Sequence, residues 1–355
     1  MLTADAVGGV WRYSLDLAQG MIMAGIEPIL VLLGPLPSIQ QRAELRAIDG
    51  LQVIPTSLPL DWAAKNPGEL RAATAALAGL AIRLRADSVH LHTPALAAQA
   101  PWSVPTVAVA HSCVKTWWQA VRGGALPEDL AWRAEFMAHG LAEADTVIAP
   151  THAFAAELAR AYRPDRAIVT VHNGRVPVAA PDVMRSPGVL TAGRLWDDGK
   201  NVTALDYAAS RLDCEVVAAG PLTGPNLARV VFSHLRATGP LGEADLALEM
   251  ASKTVYCAPA RYEPFGLAVL EAAQAGMALA LADIPTFREL WDGAALFFHP
   301  DDNSGLRDTL ARLLESPGEM AALAQERARD YTVDGMVAAT VALHRPRSGP
   351  MHGHA

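Results

Sequence analysis

Short apolar runs alternate with longer stretches of helical periodicity along most of the chain. Four apolar runs lie in the first half, at residues 29–33, 88–91, 106–110 and 146–149. Helical periodicity lies between them, most clearly at residues 70–86 and 130–144. Continuous apolar runs are typical of strands that are buried on both faces of a sheet. The first half therefore predicts a parallel sheet covered by helices.

The second half repeats this rhythm. Its apolar runs lie at residues 189–192, 215–219, 255–258 and 278–282, and its clearest helical stretches at 202–211 and 267–275. Two such halves predict an α/β protein with two doubly wound, Rossmann-like domains. Where two such domains face each other, the carboxyl ends of their strands border a cleft, and ligands bind there in this architecture.

The junction between the halves is predicted at residues 173–188, where three prolines and two glycines suit a linker. We expect an N-terminal domain over 1–175 and a C-terminal domain over 176–330. A helix over 331–345 is expected to pack back towards the N-terminal domain, with a disordered tail over 346–355. The first loop, at residues 5–9, comes so early that the strand before it is short or the coding sequence starts upstream.

The composition argues against several functional classes. A net charge of −8 over 355 residues offers no basic stripe for nucleic acid. Cys113, Cys214 and Cys257 lack metal-ligand spacing, and the amino terminus lacks the pattern of a secretory signal. No apolar run is long enough to span a membrane. These features predict a cytoplasmic protein, with peripheral contact to the inner face of the membrane left open.

The strongest chemical pattern is the segment 261–271 (RYEPFGLAVLE), which follows an apolar strand. Pro264 and Gly266 predict a loop before a helix, so Glu263 precedes the helix and Glu271 lies on its early turns. A helix amino terminus offers N–H groups to an anion, and a carboxylate accepts two hydrogen bonds from vicinal hydroxyls. Taken alone, two such acids would only complement the helix dipole, but the loop and the preceding strand favour a binding site.

Two cations after the run at 189–192 predict a phosphate site. Arg194 lies beside Gly193, and Lys200 comes six residues later. An arginine grips phosphate through two hydrogen bonds, whereas a lysine acts as a point charge. The sequence has no Asp-x-Asp pattern to anchor a divalent ion, so we expect these cations and a helix amino terminus to neutralise a leaving diphosphate. The alternative is that both cations are solvated surface charges.

Histidines follow two of the predicted strands. His111 ends the run at 106–110 and is expected to face the cleft, the alternative being a hydrogen-bonded structural histidine. His90 and His92 share one face of a strand, but no third metal ligand is evident. They are expected to line the cleft or to be structural, and His172 is expected to be structural.

Residues 115–122 (KTWWQAVR) are predicted to form a long loop beside the cleft. Two readings of Trp117 and Trp118 stay open: they stack on an acceptor or touch a lipid headgroup, or they pack the loop. Arg288 and Glu289 are expected to be structural or to lie between the domains.

These segments resemble the family 4 glycosyltransferases, which have the GT-B fold. The stretch from Glu263 to Glu271 resembles the E-x(7)-E motif of that family. Further matching segments occur in the family's order over most of the chain: Val7-Gly8-Gly9-Val10, Ala149-Pro150-Thr151, Asn173-Gly174, Gly193-Arg194-Leu195 with Lys200-Asn201, and Gly220-Pro221. The order of the segments, rather than any one of them, makes the resemblance specific.

The resemblance implies roles for single residues. Glu263 would contact the donor sugar, and Glu271 would bind the nucleotide ribose. Catalytic roles are implied for His111, Arg194, Lys200 and Glu263. Donor-binding roles are implied for Gly8, Gly9, Gly193, Arg194, Lys200, Gly220, Phe265, Gly266, Leu267 and Glu271.

The implied function is that of a retaining glycosyltransferase, which moves a sugar from a UDP- or GDP-sugar to a hydroxyl group. The acceptor would be a carbohydrate or lipid-linked molecule in glycan, polysaccharide or glycolipid synthesis. The nucleotide sugar is a co-substrate, and no metal or other cofactor is expected. Two alternatives stay open: a sugar-nucleotide epimerase or phosphorylase of the same fold, and a non-catalytic sugar-binding partner subunit.

Overall fold

The computed structural model describes residues 1–6, 8–178, 181, 183–224 and 227–344. Two parallel sheets follow each other along the chain. The strands of the first sheet are β1 (Leu2–Asp5), β2 (Ile29–Leu33), β3 (Gln52–Pro55), β4 (Val89–Leu91), β5 (Thr106–Val109), β6 (Thr146–Ala149) and β7 (Val169–Thr170). Those of the second are β8 (Ser186–Ala192), β9 (Glu215–Ala219), β10 (Arg236–Gly239), β11 (Lys253–Ala258), β12 (Ala278–Ala282) and β13 (Leu296–Phe298).

Helices connect and follow these strands. In the first half they are α1 (Gly9–Met23), α2 (Ile39–Arg46), α3 (Pro67–Arg83), α4 (Val114–Val121), α5 (Glu128–Glu143) and α6 (His152–Tyr162). In the second half they are α7 (Val202–Ala209), α8 (Glu243–Ser252), α9 (Leu267–Gln274), α10 (Pro285–Trp291), α11 (Asn303–Glu315), α12 (Gly318–Ala328) and α13 (Val333–Leu343). The predicted helix at 70–86 begins earlier, at Pro67, because the Asn66 side chain caps it by accepting from the Glu69 amide.

The six strands of the second sheet follow the same order as the first six strands of the first sheet, which has a seventh strand at its edge. The order runs β3-β2-β1-β4-β5-β6-β7 in the first and β10-β9-β8-β11-β12-β13 in the second. Each order reverses beside the sheet's first strand, between β1 and β4 and between β8 and β11, and such a reversal opens a crevice at the carboxyl ends. The strand β1 is short, yet it pairs in parallel with both β2 and β4. The predicted fold of two Rossmann-like domains is confirmed.

The last described helix, α13, packs on the N-terminal domain. Met336 and Val337 are buried in the apolar cluster that contains α1. The contact is close, since a Cβ atom added to Gly20 of α1 would lie 2.4 Å from Cγ2 of Val337. The predicted junction at 173–188 begins after β7 and overlaps the first three residues of β8, which starts at Ser186. Ala179, Ala180 and Asp182 lie outside the described residues, as does the predicted tail.

The prediction that residues 115–122 form a loop is wrong, because most of this segment is the helix α4. Its amphipathic character is marked: Thr116 is buried, whereas Gln119 and Ala120 are exposed. Packing of one face against neighbouring elements stabilises a short helix more than propensity does. Trp117 packs against the apolar cluster of the N-terminal domain.

We predict that Gly140→Ala lowers the free energy of unfolding by about 2 kcal/mol, because a core that is already filled cannot accept the new methyl group. A Cβ atom at Gly140 of α5 would lie 1.8 Å from the carbonyl oxygen of Pro94. The measurement is urea unfolding followed by circular dichroism. Gly79→Ala on α3 is the matched control, since its nearest atom is Arg83 Nη1 at 3.5 Å, and we expect it to stabilise by roughly 0.5–1 kcal/mol. Equal effects of the two substitutions would contradict the packing argument.

Candidate functional site

A cavity of about 690 Å³ lies between the two domains. Its walls come from the segments that follow β1, β5, β8, β9 and β11, so it occupies the carboxyl ends of both sheets. Every residue predicted for the site lines this cavity: Gly8, Gly9, His111, Gly193, Arg194, Lys200, Gly220, Glu263, Phe265, Gly266, Leu267 and Glu271. The structure therefore brings the predicted set together, while the role of each member stays a prediction.

The segment from Glu263 to Glu271 spans the loop after β11 and the first turns of α9. Gly266 caps α9 in a left-handed conformation with φ of 90°, which a residue without a Cβ atom adopts readily. Thr286 fixes the loop by donating from its hydroxyl to the Glu263 carbonyl oxygen at 2.6 Å. Phe265, Gly266 and Leu267 at the start of α9 line the cavity, and amide groups at a helix amino terminus can stabilise an anion.

The two predicted phosphate-binding cations lie on the loop after β8. Lys200 ends a short 3-10 turn, Asp198–Lys200, and its ammonium group pairs with the Glu263 carboxylate. Arg194 donates from Nη2 to Oδ2 of Asp197 at 3.1 Å, and its side chain keeps 41% of its exposure. Both cations are thus held by carboxylates at the edge of the cavity.

Glycines allow the backbone strands to approach one another closely around these cations. A Cβ atom at Gly220 would lie 1.8 Å from the carbonyl oxygen of Gly193, so no larger residue fits there without moving the loop. Across the cavity, a Cβ atom at Gly8 would lie 3.9 Å from Nη1 of Arg194. The glycine loop of one domain therefore faces the cationic loop of the other.

His111 follows β5 and contributes to the opposite wall. Its ring packs edge-on against Tyr13, with 4.5 Å between the ring centroids. Its Nε2 atom is buried and has no hydrogen-bond partner among the described residues. Burial, reinforced by the nearby His92, lowers the pKa of His111 to about 3. The imidazole is therefore neutral at physiological pH, and its Nε2 atom can donate or accept one hydrogen bond with a ligand.

His90 and His92 form hydrogen bonds within the protein. His90 contacts the Tyr13 hydroxyl through Nε2 at 3.2 Å and His344 of the last turn through Nδ1 at 3.1 Å. His92 contacts the hydroxyl of Thr3 at 2.9 Å. Burial also holds the pKa of His90 below its usual range. These contacts tie α1 and β4 to the end of α13, and neither His90 nor His92 lines the cavity.

The main residue that sequence reasoning missed is Arg175, whose buried guanidinium lies among three carboxylates. It donates from Nη1 to Asp16 of α1 at 2.9 Å, from Nη2 to Glu243 at 2.6 Å and from Nε to Glu271 at 2.7 Å. The first partner belongs to the N-terminal domain and the other two to the C-terminal domain. Arg175 therefore holds the predicted ribose-binding carboxylate and connects the two domains.

A second missed residue is Asp197, which organises the cationic loop. Besides holding Arg194, its Oδ1 accepts from the Gly199 amide and from Nε1 of Trp117, both at 2.9 Å. These donors, together with Arg194, outweigh burial and hold the pKa of Asp197 below its usual value. Local signals existed for both missed residues: Asp197 follows Arg194 by three positions, and Arg175 follows Asn173-Gly174 directly.

One group of metal-ligating side chains lies outside the cavity and consists of His152, His172 and Glu289. Glu289 caps α6 from the other domain, because its carboxylate accepts from the His152 and Ala153 amides at 2.9 and 2.6 Å. His172 Nε2 contacts the same carboxylate at 2.9 Å. The positive end of a helix disfavours a cation, so this group is better explained as an interdomain helix cap. Arg288, by contrast, pairs with Asp283 and Asp292 of its own domain.

Over the described residues, no helix has both the length and the apolar character needed to cross a membrane.

Solved structures share this architecture over nearly the whole chain. Sucrose-phosphate synthase from Thermosynechococcus elongatus matches 97% of this chain and 98% of its own, with a TM-score of 0.75 and 16% identity. WaaG, a glycosyltransferase involved in lipopolysaccharide biosynthesis, matches 98% and 100%, with a TM-score of 0.74 and 15% identity. HepE of Anabaena, in complex with UDP and glucose, matches 96% and 98%, with a TM-score of 0.72 and 16% identity. These likenesses, together with the interdomain cavity, define a protein of the GT-B class.

Family models specify the class further. The model of Glycosyltransferase Family 4 matches residues 7–176, and that of Glycosyl transferases group 1 matches residues 186–316. The chain belongs to the family 4, group 1 glycosyltransferases.

Two curated relatives match part of the chain. The phosphatidyl-myo-inositol mannosyltransferase of Mycolicibacterium smegmatis is 33% identical over 175 residues, which are 45% of this chain and 45% of that protein. The protein of the same name from Mycobacterium leprae is 36% identical over 89 residues, 24% of each chain. These matches span less than half the length of the curated relatives.

We predict that Asp16→Asn removes a pH-dependent component of stability. Burial raises the pKa of Asp16 to about 6, against the attraction of Arg175, and the charge of Glu271 contributes in the same direction as burial. The native state therefore holds this proton more tightly than the unfolded chain. As a result, the contribution of Asp16 to the free energy of unfolding falls as the pH rises from about 4 to about 6. Relative to wild type, the Asn variant should gain up to roughly 3 kcal/mol over that interval and stay level above it.

Chemical unfolding at half-unit steps between pH 4 and pH 7 measures this difference. Asp49→Asn, which makes the same change at an exposed position, is the control. A stability difference between Asp16→Asn and wild type that does not change with pH would contradict the raised pKa.

Proposed function

We propose that this protein is a retaining, metal-independent glycosyltransferase that uses a nucleotide diphosphate sugar as donor. The observation that carries the proposal is the convergence of Glu263, Glu271, Arg194 and Lys200 on one interdomain cavity. Two carboxylates suit the hydroxyls of a sugar and a ribose, and two cations suit a diphosphate. Family membership supports the reaction class.

The ribose end of the donor is assigned to Glu271. Arg175 donates from Nε to Oε1 of this carboxylate at 2.7 Å, which fixes the orientation of the side chain. In our proposal the second oxygen, Oε2, accepts from the ribose hydroxyls. Ribose recognition of this kind is independent of the base.

The diphosphate end is assigned to the loop after β8 and to the start of α9. Arg194 and Lys200 supply positive charge, and the backbone of Phe265, Gly266 and Leu267 supplies N–H groups. Gly8 and Gly9 close this end from the N-terminal domain, with Gly193 and Gly220 leaving room for the phosphates. Charge that develops on the leaving diphosphate is thereby stabilised without a metal ion.

The proposed reaction proceeds on one face of the sugar. The bond from the anomeric carbon to the diphosphate oxygen breaks as the acceptor oxygen forms its bond to the same carbon. The acceptor proton passes to the departing diphosphate oxygen, so that no side-chain nucleophile is required. Glu263 orients the sugar hydroxyls, and the neutral imidazole of His111 offers a hydrogen bond from the opposite wall. Closure around the donor excludes water and limits hydrolysis.

The donor is assigned to the UDP-sugars first and the GDP-sugars second. The structure of HepE contains UDP and glucose, and the two curated relatives are named mannosyltransferases. UDP-glucose and GDP-mannose are therefore the first donors to test for transfer. The acceptor is assigned to hydroxyl groups of carbohydrate or lipid-linked molecules. An enzyme with lipid-linked acceptors would work at the inner face of the membrane.

We predict that Glu271→Gln weakens the binding of UDP or GDP by roughly tenfold, because an ion that accepts two hydroxyl donors is replaced by a neutral amide. Isothermal titration calorimetry with both nucleotides measures the change. Glu249→Gln on α8 is the control, since it removes a carboxylate of the same domain that pairs with Arg236 away from the cavity. Unchanged affinity in Glu271→Gln would remove Glu271 from the ribose site.

We predict that transfer from the active donor is unaffected by EDTA and falls at least 100-fold in Lys200→Met, because Lys200 rather than a metal stabilises the leaving group. Product formation with and without an acceptor measures both effects. Loss of activity on chelation, restored by a divalent ion, would contradict the metal-independent mechanism.

Turnover that requires free phosphate would indicate the phosphorylase alternative, and turnover without an acceptor would indicate the epimerase alternative. Absence of any nucleotide binding would indicate a non-catalytic subunit.

A further inference from the structure

Tyr262 belongs to the C-terminal domain in sequence but to the N-terminal domain in packing. It lies directly before Glu263, yet the residue is only 7% exposed and forms part of the apolar cluster of the N-terminal domain. There it packs edge-on against Phe154 of α6, with 6.1 Å between the ring centroids. The residue beside the predicted sugar-binding carboxylate is therefore inserted into the opposite domain.

The hydroxyl group of Tyr262 completes a closed set of hydrogen bonds at the start of α4. It accepts from the Cys113 amide at 3.0 Å and lies 3.0 Å from Oγ1 of Thr116. Because Thr116 donates its own proton to the Cys113 carbonyl oxygen at 3.2 Å, the phenol must donate to Thr116. Burial keeps the pKa of Tyr262 well above its usual range, so the phenol retains this proton.

The N-terminal domain also holds the residue on the other side of Glu263. Oγ1 of Thr151 donates to the carbonyl oxygen of Pro264 at 3.0 Å. Glu263 is thus flanked by two residues, Tyr262 and Pro264, that are bonded to the opposite domain. The backbone that carries Glu263 therefore cannot shift without loss of at least one of these contacts, and its carboxylate is held by the ion pair with Lys200.

The same contacts reach Lys200. The amides of Arg261 and Tyr262 donate to the Gly199 carbonyl oxygen at 2.9 and 3.3 Å, directly before Lys200. On its other side the Gly199 loop meets Trp117 of the N-terminal domain, since a Cβ atom at Gly199 would lie 2.7 Å from Nε1 of Trp117. The loop is therefore held between Tyr262 of its own domain and Trp117 of the other.

We propose that Tyr262 is a positioning residue, which transmits docking of the N-terminal domain to Glu263 and Lys200. When the phenol is bonded at the start of α4, the carboxylate and the ammonium group stand at fixed positions opposite His111. When it is not, the donor site of the C-terminal domain still binds a nucleotide but lacks the geometry for transfer. This inference rests on the proposed function only for the reaction whose kcat is measured, because the docking of Tyr262 can be measured without turnover.

The test uses three conservative variants. Tyr262→Phe keeps the ring in the apolar cluster and removes both hydroxyl contacts, and Thr116→Val removes the acceptor of the phenol proton. Tyr162→Phe is the matched control, because its hydroxyl touches Cys113 Sγ at 2.8 Å from within the N-terminal domain and crosses no interface. All three variants lose a partly or fully buried hydroxyl, so a general loss of stability is common to them.

Hydrogen–deuterium exchange of the ligand-free protein is the first measurement. In Tyr262→Phe and Thr116→Val, the amides of Gly199, Arg261 and Tyr262 should exchange at least tenfold faster than in wild type. In Tyr162→Phe these amides should keep the wild-type exchange rate.

The second measurement compares kcat with nucleotide affinity. UDP-glucose and GDP-mannose are the donors for turnover, and UDP and GDP are the ligands for calorimetry. We expect kcat to fall about tenfold in both docking variants, while the nucleotide Kd changes less than threefold.

Two results would overturn the proposal. One is wild-type exchange at these three amides in both docking variants, and the other is wild-type kcat accompanied only by a lower melting temperature. If the wild-type protein neither binds nor turns over the nucleotides, the proposed function fails instead. The exchange rates still decide in that case whether Tyr262 docks the segment that carries Glu263.

Discussion

The buried guanidinium of Arg175 is the contact on which the donor side of the cavity depends. It binds Asp16 of one domain together with Glu243 and Glu271 of the other. A buried ion is costly to desolvate, and removal of one partner leaves an uncompensated charge inside the protein. The positions of the three carboxylates and of the guanidinium therefore depend on one another. As a result, the carboxylate assigned to the ribose is already oriented before a ligand arrives.

The cations assigned to the diphosphate are also engaged within the protein. Lys200 is paired with Glu263 and Arg194 with Asp197. A phosphate group that enters the cavity thus competes with carboxylates rather than with water alone. Donor affinity then reflects the difference between two sets of ion pairs, and such a difference is small compared with either set. The glycines around these side chains, by contrast, need no rearrangement, because their close approaches are built into the backbone.

The sequence alone predicts those parts of the structure that depend on local pattern. The parallel strands appear as apolar runs because both faces are buried, and Gly266 and Pro264 mark the loop between Glu263 and Glu271. The helix α4 was missed because packing of Thr116 and Trp117, rather than local propensity, determines its conformation. Arg175 and Tyr262 were missed as site residues because their partners are distant in sequence: Arg175 bonds Asp16, which lies 159 positions away. A linear pattern carries no record of such contacts.

The return of α13 to the N-terminal domain has a consequence for synthesis on the ribosome. Met336 and Val337 complete the apolar cluster around α1, and His344 completes the hydrogen bonds of His90. The first of the two domains to be translated is therefore the last to be finished, since its core lacks one helix until Leu343 has been added. The C-terminal domain, whose buried cluster begins at Val189 and ends at Tyr331, has all its own residues by then. Folding in the order of translation would leave the face of α1 that receives α13 without its partner throughout elongation.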